Sequence, residues 1–548
     1  MKQYTIGIDF GTLSARALLL DTQTGKTVAT AVKEYTHGVM DETLPSGKAL
    51  PAQSAFQHPA DYLEALRVTV AEVLRVGKVS PEDVAGVGID FTSCTLVAMA
   101  EDGTPLCMTE RYADEPQAYV KLWKHHASGA EADRMTEQAI ARGETWLAAY
   151  GGRISPEWAF PKILETLRRA PEVYRDTARF CEAGDWLSFL LTGEESQTAA
   201  YACFKFNWSE ENGYPSNEYL TALDQRLDGI VGTKVSTANR TPDRMAGRLN
   251  AKGAALTGLL EGTPLAMPML DADAAMPALG VTHEGELLLI LGTSGVALVH
   301  SKQAHDIEGI CGRAENGVIP GLCTYEAGQA GLGDGFDWFV KHCVPEAYRT
   351  QARESGMSIH QYLREKAKRL RVGESGLLAL DWLNGNRSVL QDSSLSGMML
   401  GMHLGTRPEE IYRAWIEATA FGMKTVMDTY VENGIQIDRV KASGGIAKKD
   451  DMMMQIYADV LNREICVMDA EQAGALGSAI YAAAAGGMFA SVAEASDALA
   501  QSGGATYRPI AENAERYAYL YGEYKRLYDY FGRGENRVMT RLREFSQT

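Results

Sequence analysis

Residues 6–16 read "IGIDFGTLSAR": an apolar run ends in a carboxylate, Asp9, and a turn of Gly11, Thr12 and Ser14 leads to Arg16. Backbone N–H groups and hydroxyls in such a turn suit an anion, and Gly11 permits close approach. Arg16 adds a planar fork of donors for phosphate oxygens. A carboxylate beside a phosphate makes sense only with a divalent cation between them, so Asp9 reads as a metal-facing residue. An ordinary hairpin with a capping Asp fits these residues equally well. A second turn of the same kind, Gly292-Thr293-Ser294-Gly295, stands between two apolar runs in the other half of the chain. Two such turns can grip a polyphosphate from both sides. GxxxxGK[ST] is absent, as is GxGxxG after the first strand, which excludes a P-loop and counts against a nicotinamide enzyme.

Other residues could do chemistry around this pair. Ser443-Gly444-Gly445 precedes a predicted helix from about Lys449, an arrangement that lets a flat or anionic ligand sit against backbone. "AGALGSA" (473–479) could complete a flat pocket. Asp271 and Asp273 follow the apolar run "PLAMPML", where an acid could take a proton from a hydroxyl or merely cap a helix. Lys205 and Glu326 lie in apolar surroundings and need partners, whether substrate or each other. His125 and His126 lack metal-ligand spacing and are expected on a helix surface.

The positioning elements form two similar halves. Tyr4–Asp9, Ala15–Leu20 and Val28–Val32 predict three antiparallel strands, followed by a helix at Pro59–Val76 and a strand at Val84–Asp90. That last run, "VGIDFTSCT", echoes the opening, and "LLLILGTSGVALVH" (287–300) restates the hairpin, so an internal duplication is expected. Trp123 to Phe180 reads as helical, "YACFKFNW" (201–208) as a strand, and 232–262 as loop-rich. Thr406–Tyr430 predicts a helix with Thr406 and Glu409 as its capping box. Gln472–Ala493 is expected to be a buried small-residue helix, not a membrane span. The tyrosines at 517, 521, 524 and 528 read as packing.

With 548 residues the chain exceeds one ordinary core. Its formal charge of −18 argues against nucleic acid or an anionic membrane as the main partner. Eight cysteines without a CxxC pair suggest reduced thiols in a cytoplasmic protein.

These segments together resemble the ribulokinases of the FGGY carbohydrate-kinase family, within the actin/Hsp70-like ATPases. The resemblance spans essentially the whole chain, carried by "IGIDFGTLSAR", "GVGIDFTSCT", "VKLWKHH", "DADAAMPALG", "YEAGQ", "DWLNGNRS" and "SGGIAKKDDMMMQIYADVLNREI". It implies an α/β chain with two RNase H-like domains, residues 1–266 and 267–548, around a central cleft. It implies ATP and Mg2+ as cofactors and transfer of phosphate to the 5-hydroxyl of L-ribulose, with another ketopentose or a pentitol as the alternative. By motif position, Asp271 would be the base. Ser93 or Cys94, Trp123, Lys205, Asp271 and Glu326 would meet the sugar, and Gly11, Thr12, Ser14, Arg16, Gly292, Thr293 and Ser294 the phosphates. Gly444, Gly445 and Lys448 would lie near adenine, and Asp9 would face magnesium. The partners are then a small sugar and ATP, with a homodimer as the candidate assembly. A chaperone or filament ATPase shares this fold but needs no polar sugar site. The chain departs from the family in two places. Trp415 stands where a smaller residue is usual, and Asp273 replaces a common His. A second carboxylate there would raise the pKa of one of the pair if both are buried, shift sugar preference or move the metal.

Overall fold

A computed structural model describes residues 3–501 and 503–546. In the first half, strands β1 (Tyr4–Phe10), β2 (Ser14–Asp21) and β3 (Lys26–Glu34) form an antiparallel meander, and β4 (Val84–Phe91) joins β1 in parallel on its other side. β4 is buried along its whole length, as a strand covered on both faces must be. Helix α1 (Ala199–Lys205) precedes the short strand β5 (Met269–Leu270), which pairs parallel with β4 and runs straight into helix α2 (Asp271–Ala278).

The second half repeats the plan. β6 (Glu286–Leu291) pairs antiparallel with β7 (Gly295–Ser301), and β7 with β8 (Cys323–Gln329). Helix α3 (Pro408–Glu432) then leads to β9 (Arg439–Ser443), which lies parallel beside β6 as β4 lies beside β1. The expected duplication is thus present as two sheets of matching order around a central strand.

Helix α4 (Ala473–Ala485) ties the halves together. It comes from the second half of the chain yet lies against β1, β4 and α2. Its small residues make this approach possible. A Cβ on Gly88 of β4 would stand 1.9 Å from the Ser478 carbonyl oxygen, and one on Gly477 would stand 1.6 Å from that of Ala274. "AGALGSA" is therefore chiefly a docking surface for the first sheet. Among the described residues no helix is long and apolar enough to cross a membrane.

Three local expectations are corrected. Residues 199–205 form a helix, not a strand, and every one of them is buried. A helix enclosed on all sides has no polar face, so its sequence carries no helical period. At the start of α3 the Arg407 N–H donates to Glu410 Oε2 at 2.6 Å, so Glu410 and not Glu409 reaches back to the helix end. Thr406 Oγ1 instead accepts from the His403 N–H, and Glu409 accepts from the Tyr348 hydroxyl at 2.7 Å. His125 is fully buried rather than on a helix surface. Its Nδ1 accepts from the Ala55 N–H at 3.1 Å, so Nε2 carries the proton and donates to Glu165 at 2.8 Å. Burial pushes this imidazole down to about 4 and keeps it neutral. Glu165 also accepts from the buried ammonium of Lys121 at 2.8 Å. The tyrosine stripe does pack: Tyr517 is enclosed and meets Arg413 and Glu417, and Tyr524 donates to Asp381.

Candidate active site

Parallel pairing of β1 and β4 sets Asp9 opposite Asp90 at the C-terminal edge of the sheet. β5 extends the same edge, with Met269 opposite Asp90, so α2 opens there with Asp271. Asp90 is fully buried, and its Oδ2 accepts from Ser478 Oγ of α4 at 2.6 Å. Its Oδ1 has no hydrogen-bond partner among the described residues. Gly474 roofs the pair, since a Cβ there would stand 3.2 Å from both Asp9 Cγ and Asp90 Oδ1.

Crowding of like charges sets the electrostatics. Burial, then the neighbouring Asp9, drives Asp90 well above the usual carboxylate range. Burial also raises Asp9, opposed by Arg16 at 3.6 Å. Asp271 is pushed up to about 6, chiefly by burial and then by Asp9, while the Ala272 N–H and Lys205 stabilise its charged form. The Ala272 N–H donates to Asp271 Oδ1 at 2.9 Å. Among the described residues no three His, Cys, Asp or Glu side chains converge as a metal cage. An oxygen-only edge with one orphan carboxylate oxygen fits a hard cation that keeps most of its waters and takes one or two carboxylates, as magnesium does.

Each hydroxyl-bearing turn is closed by its own backbone bond, the second one residue tighter than the first. The Gly11 N–H donates to Ser14 O at 3.0 Å, and the Gly292 N–H to Ser294 O at 3.0 Å. Trp123 Nε1 donates to Thr12 Oγ1 at 3.2 Å and the Gln57 amide to Thr12 O at 2.8 Å, so the first turn is braced from outside. The second is braced by the Gly333 N–H, which reaches the carbonyls of Gly292 and Thr293. Thr293 is exposed at its tip. β9 ends beside β6 with Ser443 opposite Ile290, which brings Gly444 against Leu291. Gly444 has φ +103°, and a Cβ there would meet the Leu291 carbonyl at 2.3 Å; Gly445 faces open space. Lys448 is turned to the Ala470 carbonyl at 2.8 Å and to Asp469 at 3.3 Å.

Beside Asp271 lies a cluster shared by both halves. Lys205 at the end of α1 stands 3.8 Å from Glu326 of β8, and Arg387 holds the other oxygen of Glu326 at 2.9 Å. Asp273 is 2% exposed, and its Oδ2 has no hydrogen-bond partner among the described residues. Burial, then Glu326, raises it well above the carboxylate range. Glu157 is drawn down to about 2, because His126 and Arg387 outweigh its burial. Cys94 has φ +61° and is buried, with its carbonyl accepting from Lys162 Nζ at 2.6 Å. Ser93 Oγ lies 3.4 Å from its sulfur. Burial pushes the Cys94 thiol up to about 11, which makes it a poor nucleophile at neutral pH.

Sequence reasoning did not single out Asp90, Ser478, Gly474 or Arg387. The signals existed: Gly474 and Ser478 lie inside "AGALGSA". The echo of "IGIDFG" in "VGIDFT" aligns Asp90 with Asp9, and Arg387 lies inside "DWLNGNRS".

Comparison with known proteins bears on the family and the fold. Residues 4–280 match the N-terminal domain of the FGGY family of carbohydrate kinases, and residues 287–486 match its C-terminal domain. A ribulokinase of Bacillus licheniformis is 46% identical over 537 residues, 97% of each chain. One of Mycolicibacterium smegmatis is 43% identical over 99% of this chain and 96% of its own. Among solved structures, a xylulose kinase from Rhodospirillum rubrum superposes with a TM-score of 0.80 at 24% identity, covering 96% of this chain and 98% of its own. At that identity the likeness establishes the two-domain fold alone.

Proposed function

The chain belongs to the FGGY family of carbohydrate kinases, and on that premise we propose that it transfers the γ-phosphoryl group of ATP to the 5-hydroxyl of L-ribulose. Full-length relatives named ribulokinase, at 46% and 43% identity, support the choice of sugar. The observation that carries the chemistry is Asp271. It is a half-buried carboxylate held near pKa 6, between the Asp9–Asp90 edge and the Lys205–Glu326–Arg387 cluster. A base with a pKa close to the working pH is ionised yet still accepts a proton readily.

Asp271 takes the proton of the 5-hydroxyl as the sugar oxygen attacks the γ-phosphorus in line and ADP leaves, giving L-ribulose 5-phosphate. Lys205 and Arg387 donate to sugar oxygens, Glu326 accepts from sugar hydroxyls, and Trp123 and the Ser93–Cys94 loop flank the ketose. The turns of Gly11, Thr12 and Ser14 and of Gly292, Thr293 and Ser294 cradle the phosphates, with Arg16 at their flank. Adenine lies against Gly444 and Gly445, with Lys448 beside it. Magnesium, when bound next to Asp9 through water, supplies neutralising charge for the phosphates. Eight unpaired thiols suit a cytoplasmic setting.

A coupled ADP-release assay over L-ribulose, D-ribulose, xylulose and ribitol tests the proposal. L-ribulose is expected to have the highest kcat/KM. Asp271→Asn is expected to lower kcat by about 10²–10⁴ with ATP binding retained. ADP release indifferent to sugar, or near-normal turnover of Asp271→Asn, would overturn it.

A further inference from the structure

Lys162 carries a buried amine that the proposed chemistry leaves unused. It lies in the helix Ala159–Arg169 and is 0% exposed. A lysine taken out of water must spend its donors on protein acceptors. Both acceptors here are main-chain carbonyls, and they belong to separate loops. The Lys162 Nζ donates to Cys94 O at 2.6 Å and to Leu122 O at 3.0 Å. Leu122 directly precedes Trp123, so the amine joins the Ser93–Cys94 loop to the Trp123 loop, the two that flank the ketose.

The Trp123 loop is anchored on both sides. Lys121 and His125 each donate to Glu165 of the Lys162 helix, and the Trp123 indole N–H reaches Thr12 Oγ1 at 3.2 Å. The other loop is fixed at its flank, where the Thr95 N–H donates to Glu182 and Thr95 Oγ1 to Thr92 O, both at 2.7 Å. Cys94 itself has φ +61°, a left-handed conformation that a residue with a side chain keeps only where its surroundings impose it. The bond from Lys162 to the Cys94 carbonyl imposes it. One side chain thus spans from the anchored loop to the strained one.

We propose that Lys162 is a positioning residue for the sugar: its amine ties the strained Cys94 turn to the Trp123 loop and so fixes the gap that the ketose enters. The inference rests on the proposed sugar-kinase activity and adds to it a residue that touches no substrate. Full burial keeps the amine off the ligand, so its effect passes through the two loops.

Two-substrate ADP-release kinetics of Lys162→Met in the full-length enzyme test this. In that variant the Leu122 carbonyl still accepts from the His125 N–H at 3.0 Å, whereas the Cys94 carbonyl loses its donor. The value of kcat/KM for L-ribulose is expected to fall by about 10²-fold, mostly through KM, with KM for ATP within about twofold of wild type. A lysine that served the fold alone would lower the active fraction, and hence kcat, and leave both KM values unchanged. Lys162→Met is then combined with Trp123→Ala. Because Lys162 acts partly through Trp123, the double variant should lose less than the product of the two single losses. Lys162→Gln, which keeps a shorter neutral donor, is measured alongside and should raise KM for L-ribulose by less. A wild-type KM for L-ribulose in Lys162→Met, or in Lys162→Gln where Lys162→Met does not fold, would overturn the proposal. So would losses that multiply in the double variant, or failure of both lysine variants to fold. These results leave the kinase activity standing, whereas wild-type ADP release indifferent to sugar would overturn that activity and this inference with it.

Discussion

If Asp271 is the base, the enzyme should switch off as pH falls through about 6, because burial and the adjacent Asp9 raise that carboxyl from its usual 3.8. The displacement corresponds to about 3 kcal/mol against the charged form. The sign follows from the role: only the ionised carboxylate can accept the sugar proton. With a midpoint at 6, about nine-tenths of the enzyme is competent at pH 7 and about a tenth at pH 5. The value of kcat/KM should therefore fall tenfold per pH unit on the acid limb and level off above about pH 7. Asp9 and Asp90 are also raised, so the midpoint needs an assignment, and neighbours of Asp271 supply one. Lys205 lowers its pKa and Glu326 raises it, whereas neither is among the leading causes of the shifts of Asp9 or Asp90. Asp273 feels both but sits well above the carboxylate range, away from this limb. Lys205→Met should move the midpoint upward and Glu326→Gln downward, whatever either does to the plateau. The assay is initial-rate ADP release across pH 4.5–8.5 at constant ionic strength. A wild-type midpoint near 4, or both variants shifting in the same direction, would refute Asp271 as the titrating base.

Further predictions concern binding and stability. Arg387→Met removes the 2.9 Å contact to Glu326, and should raise KM for the sugar by about tenfold or more while leaving KM for ATP near wild type, as two-substrate kinetics would show. Glu165→Gln strands the Lys121 ammonium, which is 2% exposed, and should destabilise the protein by about 3–5 kcal/mol; a thermal scan unchanged from wild type would contradict this. Gly88→Ala forces a methyl group within 1.9 Å of the Ser478 carbonyl, so sheet and helix must part. A loss of about 1–3 kcal/mol is expected, with activity falling because Asp90 lies two residues on. Full activity and an unchanged melting temperature would show that this contact relaxes freely.

The two hydroxyl-bearing turns were legible in the sequence because they are local. A strand that ends in Asp9 and turns through Gly11, Thr12 and Ser14 announces itself within a dozen residues. The second turn at 292–295 does so again, and with them came the duplicated architecture. The mispredicted pieces share a different physics. Residues 199–205 form a helix enclosed by both halves of the chain, so nothing in their spacing marks a face. His125 lies in a stretch that looks like polar surface, yet its partner Glu165 is 40 residues away and fully buried.

By itself the sequence determined which residues carry acid, hydroxyl and cationic groups, and that two similar hairpins present them. Only the tertiary structure decided their company. Parallel strand register set Asp9 beside Asp90 and placed Asp271 on the same edge. The docking of 473–485 onto the first sheet brought Ser478 to Asp90 across 388 residues of chain. Residue spacing along the chain cannot encode such meetings, because the pKa of a carboxylate depends on the charges and burial that packing supplies around it.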